Sequence, residues 1–356
     1  MKNLKVSRRS FLCCMSLCAA MALQVTLTGC GSAPADKNAA ATSDFKVEMI
    51  TDEGGINDQS FNQSSWEGLK KLQKDGANVH YLESKQKSDY KTNFDKAIDV
   101  NPDLVWGVGY ALAPDAEEAA KINPDMNFAV IDFAFQNPPK NLTGVMFRAQ
   151  EPSFMVGYAA AMKTKTDHVG YVGGIKSDFL DQFEYGYRAG VAYGAKQRGK
   201  DIKVDVEYAN SFNDAAKGKA IAQKMYQNGA DIIFHAAGGT GVGVISAAKN
   251  SGEYVIGVDR DQAYLNPDHV LTSALKKVGN ATYQVSLDLK NGKRIGGKNL
   301  DYGLKENAVG IPEDHKLLGD EIYNNTLKIG DEIKEGKITP PANEKDFDQF
   351  VKNLNN

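Results

Sequence analysis

From residue 45 to about residue 275 the chain alternates short, β-branched apolar runs with stretches of helical period. The strand-like runs are VEMIT from Val47, VHYLE from Val79, LVWGVG from Leu104, NFAVID from Asn127 and TGVMF from Thr143. They continue with HVGYVGG from His168, VDVEYA from Val204, DIIFHA from Asp231, YVIGVD from Tyr254 and VLTSAL from Val270. Their nearly continuous apolar character is that of strands buried on both faces. Helical patterns fill the gaps at 114–123, 154–163, 179–198, 215–229, 242–252 and 279–291. Strict alternation argues for parallel sheets with right-handed crossovers. The order also repeats, one set ending near Phe147 and the next running from His168 to Asp259. An α/β chain of two doubly wound parallel-sheet lobes is expected.

The beginning of the chain reads as an address. Lys2, Lys5, Arg8 and Arg9 precede a mostly apolar run from Phe11 to Leu27, which meets LTGC at Leu27–Cys30. A basic region, an apolar core and small residues before a cut site describe an export signal. LTGC resembles a lipobox, making residues 1–29 a lipoprotein signal peptide and Cys30 the lipidated residue. SRRSFL (Ser7–Leu12) resembles a twin-arginine export motif, with Cys13 where a Lys is usual; a Sec signal is the other reading. Residues 30–44, small and polar, read as a flexible tether. All four cysteines (Cys13, Cys14, Cys18, Cys30) lie within the first thirty residues. After cleavage no internal disulfide, thiol nucleophile or metal thiolate is possible. Loss of four basic residues and no acid takes the formal net charge from −3 to −7, which disfavours nucleic acid as a partner.

The polar residues gather at strand ends, where open α/β sheets keep their ligands. The densest group is TDEGGINDQSFNQSSWEGL (Thr51–Leu69). Asp52, Asn57, Asp58, Ser60 and Asn62 supply donors and acceptors there, and Gly54 and Gly55 allow close backbone approach. The plainer reading is a turn with Ser60 or Asn62 as helix N-cap. Asp52 and Asp132 end first-lobe strands, and Asp259 ends YVIGVD, placed to accept hydrogen bonds from a ribose diol. Phe212, in the polar turn after VEYA, is either a buried loop anchor or a stacking platform for a flat ring. Phe61 and Tyr110 could flank the opposite face. Lys276, after VLTSAL, is either a surface cation or a cleft group.

Enzyme chemistry finds no support. The histidines at 80, 168, 235, 269 and 315 have no metal-ligand spacing and read as surface or strand-end residues. There is no nucleophile elbow or phosphate loop. HAAGGTGVG (His235–Gly243), with Asp259 following at the next strand end, imitates a dinucleotide site but does not match GxGxxG. No catalytic residue, metal or cofactor is expected. An acid for a diol without phosphate-binding chemistry suggests a nucleoside rather than a nucleotide.

The segments TDEGGINDQSFNQSSWEGL, VGYALAPD, FAVID, FEYGYRAG, YANSFND, GVDRDQ and TSALKKVGNA resemble, in order and over nearly all of the mature chain, the basic membrane protein (BMP) lipoproteins. These are substrate-binding components of ABC transporters, several of them purine nucleoside receptors. The resemblance implies a type I periplasmic-binding-protein-like fold whose lobes are joined by a three-crossing hinge. The expected divisions are residues 45–149 plus 270–297 for lobe 1, and 150–269 plus 298–356 for lobe 2. It implies first-lobe contacts from Asp52 and Asn62, base reading by Asp132, stacking by Phe212, and backbone approach at Gly238 and Gly239. Asp259 and Lys276 would hold the ribose. Some family receptors stack a Phe from the first loop where this chain has Ile56. The implied ligand is adenosine, guanosine or inosine, with riboflavin or a sugar as other solutes of the same fold. The implied partners are a permease and ATPase encoded elsewhere, and a membrane through the lipid on Cys30. The chain is expected to be a monomer on the extracytoplasmic face. A lipid-anchored adhesion protein without transport is the alternative.

Overall fold

The computed structural model describes residues 44–355; the signal peptide, Cys30 and nearly all of the tether lie outside them. In chain order the elements are β1 (Lys46–Thr51), α1 (Phe61–Lys74), β2 (Asn78–Leu82), α2 (Asp89–Asp99), β3 (Leu104–Val108), α3 (Ala113–Ile122), β4 (Asn127–Ile131) and β5 (Leu142–Phe147). The second set is α4 (Gln150–Lys163), β6 (His168–Gly173), α5 (Asp178–Arg198), β7 (Lys203–Tyr208), α6 (Ala215–Gln227), β8 (Ile232–Ala236), α7 (Thr240–Ser251), β9 (Tyr254–Asp259) and β10 (Val270–Lys276). The remainder is α8 (Val278–Lys290), β11 (Lys298–Tyr302), β12 (Val309–Gly310), α9 (Asp320–Lys334) and α10 (Glu344–Leu354).

Two six-stranded sheets result, in the orders β11-β5-β4-β3-β1-β2 and β12-β10-β9-β8-β6-β7. The two orders correspond strand for strand, so the repeat in the sequence is a repeat in space. Every pairing is parallel except β10 with the two-residue β12. Chain order reverses between β1 and β3 in one sheet and between β6 and β8 in the other. A crevice opens at such a switch point, beyond the carboxyl ends of the strands. Both sheets present these ends to one shared cleft.

The strand cores match their sequence. Met49, Ile50, Trp106, Val108, Phe128 and Ile131 are fully buried in the first sheet, as are Val169, Tyr171, Ile232, Phe234 and Ile256 in the second. α2 carries its apolar residues Tyr90, Phe94 and Ala97 at helical spacing against the first sheet.

The lobe boundaries differ from those expected in the last third. β10, expected in lobe 1, pairs in parallel with β9 and belongs to the second sheet. Its buried VLTSALK continues that sheet's core. The crossing comes after Lys276, where α8 packs on α1 in the first lobe and Ser286 accepts from the Trp106 indole at 2.9 Å. β11, expected in lobe 2, pairs with β5 and edges the first sheet. Its sequence KNLDY is polar because it is a half-exposed edge strand, so it carries no apolar signal. The third crossing follows Tyr302, and α9 and α10 pack on α4 and α5 of the second lobe. One histidine also differs from expectation: His235 is completely buried within β8, whereas His168, also buried, opens β6 as a strand-end residue.

Candidate ligand-binding cleft

The first-lobe wall is built from the β1–α1 loop. Asp58, not Ser60 or Asn62, caps α1: its carboxylate accepts from the backbone N–H groups of Ser60 (2.9 Å), Asn62 (2.8 Å) and Gln63 (3.1 Å). A carboxylate there satisfies orphan donors and faces the positive end of the helix dipole. The Asn62 side chain points back across the loop. Its Nδ2 donates to Asp52 Oδ1 at 2.7 Å and to Asp58 Oδ2 at 3.1 Å. Asp52 Oδ1 also accepts from Gly54 N at 2.9 Å. Asn62 Oδ1 is buried without a hydrogen-bond partner among the described residues. Burial pushes the Asp52 carboxyl up to about 6 and that of Asp58 up to about 7, against the lowering effect of these donors.

The second polar group spans both lobes. Asp132, just beyond β4, and Asp259, ending β9, occupy equivalent places in the two sheets. Both have positive φ, 68° and 65°, a conformation that costs a non-glycine residue on the order of 1–3 kcal/mol and concentrates at functional sites. Lys276, 1 % exposed at the end of β10, donates from Nζ to Asp132 Oδ2 at 2.5 Å. Its ammonium lies over the rings of Phe61 (4.4 Å) and Phe179 (4.5 Å), with Phe147 and Phe183 further out. A desolvated cation gains from ring faces and from a paired carboxylate together. Burial raises the Asp132 carboxyl to about 6, outweighing the opposing ammonium, and raises Asp259. The other oxygen of Asp132, Oδ1, is buried and has no partner among the described residues. Asp259 accepts from the Ser60 hydroxyl across the cleft.

Asp52, Phe61, Asn62, Tyr110, Asp132, Phe212, Gly238, Asp259 and Lys276 all line this one cavity. The first and last of them are over two hundred residues apart in the chain. Two expected residues fall outside it. Asn57 is exposed at the tip of the loop, because Asp58 beside it turns inward to cap α1. Gly239 is the N-cap of α7; it packs against the Phe212 turn instead of facing the cavity. Lys276 is a cleft group and not a surface cation. Asp58, named above among the donors and acceptors of the loop, lines the cavity, and so do Phe179 and Phe183, which the sequence did not mark. Asp58 was visible as part of the polar loop. The two phenylalanines read as one apolar face of α5, and nothing in their spacing separates a cleft ring from a core ring. Ile56 is buried in the first-lobe core and supplies no wall.

Further bonds hold the lobes together across the cleft mouth. Gln262 donates to Gln59 O (3.0 Å), Tyr264 to Gln59 Oε1 (2.7 Å), and Asn213 to Glu53 O (2.9 Å). Arg260 pairs with Glu67 at 3.1 Å. The lobes are closed on one another.

Two α/β lobes of parallel sheet closing on a buried polar cleft define the fold of the periplasmic solute-binding proteins. An ABC transporter solute-binding protein from Aeropyrum pernix K1 superposes with a TM-score of 0.79 at 24% identity, covering 87% of this chain and 97% of that one. The family model for Bmp, the PnrA-like ABC transporter substrate-binding proteins, matches residues 45–344, and the chain belongs to that family. Basic membrane protein A of Borreliella burgdorferi is 41% identical over 312 residues, 86% of this chain and 91% of its own. The ABC transporter nucleoside-binding protein BmpA of Lactococcus lactis is 39% identical over 346 residues, 91% of this chain and 97% of its own. The protein is therefore a substrate-binding component of an ABC transporter and not an enzyme. Among the described residues no helix is long and apolar enough to cross a membrane.

Proposed function

We propose that this protein captures a purine nucleoside in the cleft and presents it, lobes closed, to a membrane permease driven by a separate ATPase. The observation that carries the reading is the placing of two polar groups and a ring around one buried cavity. Phe212 offers a face for the base. Asp259 and Lys276 offer an acceptor and a donor for the sugar hydroxyls. Asp52 and Asn62 face the base edge. Asp132 bonds Lys276 through Oδ2 and keeps a buried Oδ1 without a partner among the described residues, which supports it as a further acceptor for the base edge or a sugar hydroxyl. Phe61, one face of which meets the Lys276 ammonium, and Tyr110 both line the first-lobe side of the cavity and are the two candidate rings for the second face of the base.

The charge balance favours a nucleoside over a nucleotide. Asp52, Asp58, Asp132 and Asp259 line the cavity against the single ammonium of Lys276. A phosphate would meet like charge at short range in a low-dielectric site. Mass spectrometry of the small molecule that co-purifies with the protein tests the reading: a purine nucleoside is expected, and a flavin or a sugar would replace it.

The relative in Lactococcus lactis is named as a nucleoside-binding protein, which supports the same reading. The lipobox at Leu27–Cys30 supports anchoring through lipid on Cys30, on the extracytoplasmic face. Metabolic labelling with a fatty-acid probe should mark the wild type and not Cys30→Ala. Replacing Arg8 and Arg9 by Lys should block export if the twin-arginine route is used.

A further inference from the structure

We infer that Asp58 and Asp52 fix the side-chain amide of Asn62 so that the base-edge wall offers hydrogen-bond acceptors only, and that the site thereby selects a purine with donors on that edge, guanine above hypoxanthine. The inference rests on the nucleoside reading above. The orientation of an Asn amide is set by its surroundings, and here they leave one choice. Nδ2 faces two carboxylate oxygens, Asp52 Oδ1 at 2.7 Å and Asp58 Oδ2 at 3.1 Å. With both carboxyls ionised, turning the amide over would aim Oδ1 at two acceptors and lose both bonds. Asp58 cannot rotate away to relieve this, because three backbone N–H groups of the α1 start hold it.

The consequence lies on the ligand side. Asn62 is 1 % exposed, lines the cavity, and keeps a buried Oδ1 without a partner among the described residues. The bonds to Asp52 end on its Oδ1. Its Oδ2 lies over Gly109, within 3.2 Å of where a Cβ would stand, at the cavity wall. The edge that meets this wall must therefore bring N–H groups. Guanine has two adjacent ones, the ring N–H and the 2-amino group. Hypoxanthine lacks the amino group, and adenine places a ring acceptor where guanine has its N–H.

The base lies at this wall and not at the Lys276 end for two reasons. The ring box at that end is filled by the ammonium. The Phe212 turn abuts the Asp58 loop: a Cβ on Gly239 would lie 3.2 Å from Phe212 O and 3.7 Å from Asp58 Cα. A site built to bond an N–H rejects the analogue without it, because its own buried acceptor is left unpaired.

The test is competition calorimetry on ligand-stripped protein with guanosine, inosine and adenosine, for the wild type and Asp58→Asn. The wild type should bind guanosine more than about tenfold tighter than inosine or adenosine. Asp58→Asn, which lets the Asn62 amide turn, should narrow the guanosine-to-inosine ratio at least threefold. Equal wild-type affinities for guanosine and inosine would overturn the inference and leave the nucleoside reading standing. An unchanged ratio in a folded Asp58→Asn protein would remove Asp58 from it. No heat with any nucleoside would instead remove the reading on which it rests. If Asp58→Asn does not fold, the wild-type ranking alone still decides.

Discussion

The acids of the cleft carry opposite demands, and pH separates them. Asp52 and Asp132 are raised to about 6 and Asp58 to about 7, each chiefly by burial. In the unfolded chain such groups ionise near ~3.9. Between these values the folded protein holds protons that the unfolded chain has released, so stability falls as pH rises. The contribution of these groups is complete below about pH 4 and lost as pH rises through 6 to 7. Asp205, Asp288 and Glu306 are lowered on folding and act in the opposite sense below their ordinary values, and His235, which burial lowers to about 4, opposes the trend below its ordinary value, one group against three. The ligand-free protein should thus melt at a higher temperature at pH 5 than at pH 8 in a calorimetric scan. Nucleoside affinity should move the other way, because ionised carboxylates are the better acceptors. Affinity that rises on acidification would contradict the assignment of these acids as ligand groups. Phe212→Ala and Asp259→Ala should each weaken binding at least tenfold by titration, through loss of a stacking face worth roughly 1–3 kcal/mol and of a buried acceptor.

Elements were legible where they were apolar. Each of the ten strand-like runs forms a strand, and six of them, β1, β3, β4, β8, β9 and β10, bring residues at their carboxyl ends to one cavity. The pair FAVID and IGVD was readable as equivalent strand ends, and Asp132 and Asp259 occupy them. What could not be read was polar or depended on partners. β11 is a polar edge strand. Asp58 as cap of α1 looks in sequence like any other acid of its loop. Lys276 is expected as a cleft group, but its complete burial and its bond to Asp132 come from both lobes enclosing it, which a lysine after an apolar strand does not show. The α1–α8 contact is another case. A Cβ on Gly68 would lie 2.0 Å from Gly279 O, and one on Gly279 would lie 2.4 Å from Ser64 O. Two glycines let these helices touch backbone to backbone, holding α8 on the first lobe after the second crossing. Gly68→Ala should therefore destabilise the protein by about 1–3 kcal/mol, read as a lower denaturant midpoint. An unchanged midpoint would show that the helices can separate without cost.

At the scale of the whole molecule, the two lobes meet across the cleft. Bonds at the cleft mouth, from Gln262 and Tyr264 to Gln59 and from Asn213 to Glu53, exist only when the lobes meet. Lys276 to Asp132 and Ser60 to Asp259 are cross-lobe contacts inside the cleft. A ligand that touches both lobes shifts the population to the closed form by its differential contacts. Gln262 and Tyr264 do not line the cavity, yet their loss should lower the closed population and so the apparent affinity. Gln262→Ala and Tyr264→Phe should each weaken binding by about 2- to 10-fold, at ~0.5–1.5 kcal/mol per hydrogen bond, mostly as faster release. An unchanged release rate would mean that the mouth contacts are not part of closure.

Isothermal titration of the ligand-stripped protein with guanosine, adenosine and inosine is the most direct measure of whether the cleft is a nucleoside site. We expect one site per chain, at micromolar affinity or tighter, for at least one of the three, with the 5′-monophosphates weaker. No binding of any of them, or tighter binding of the monophosphates, would contradict it.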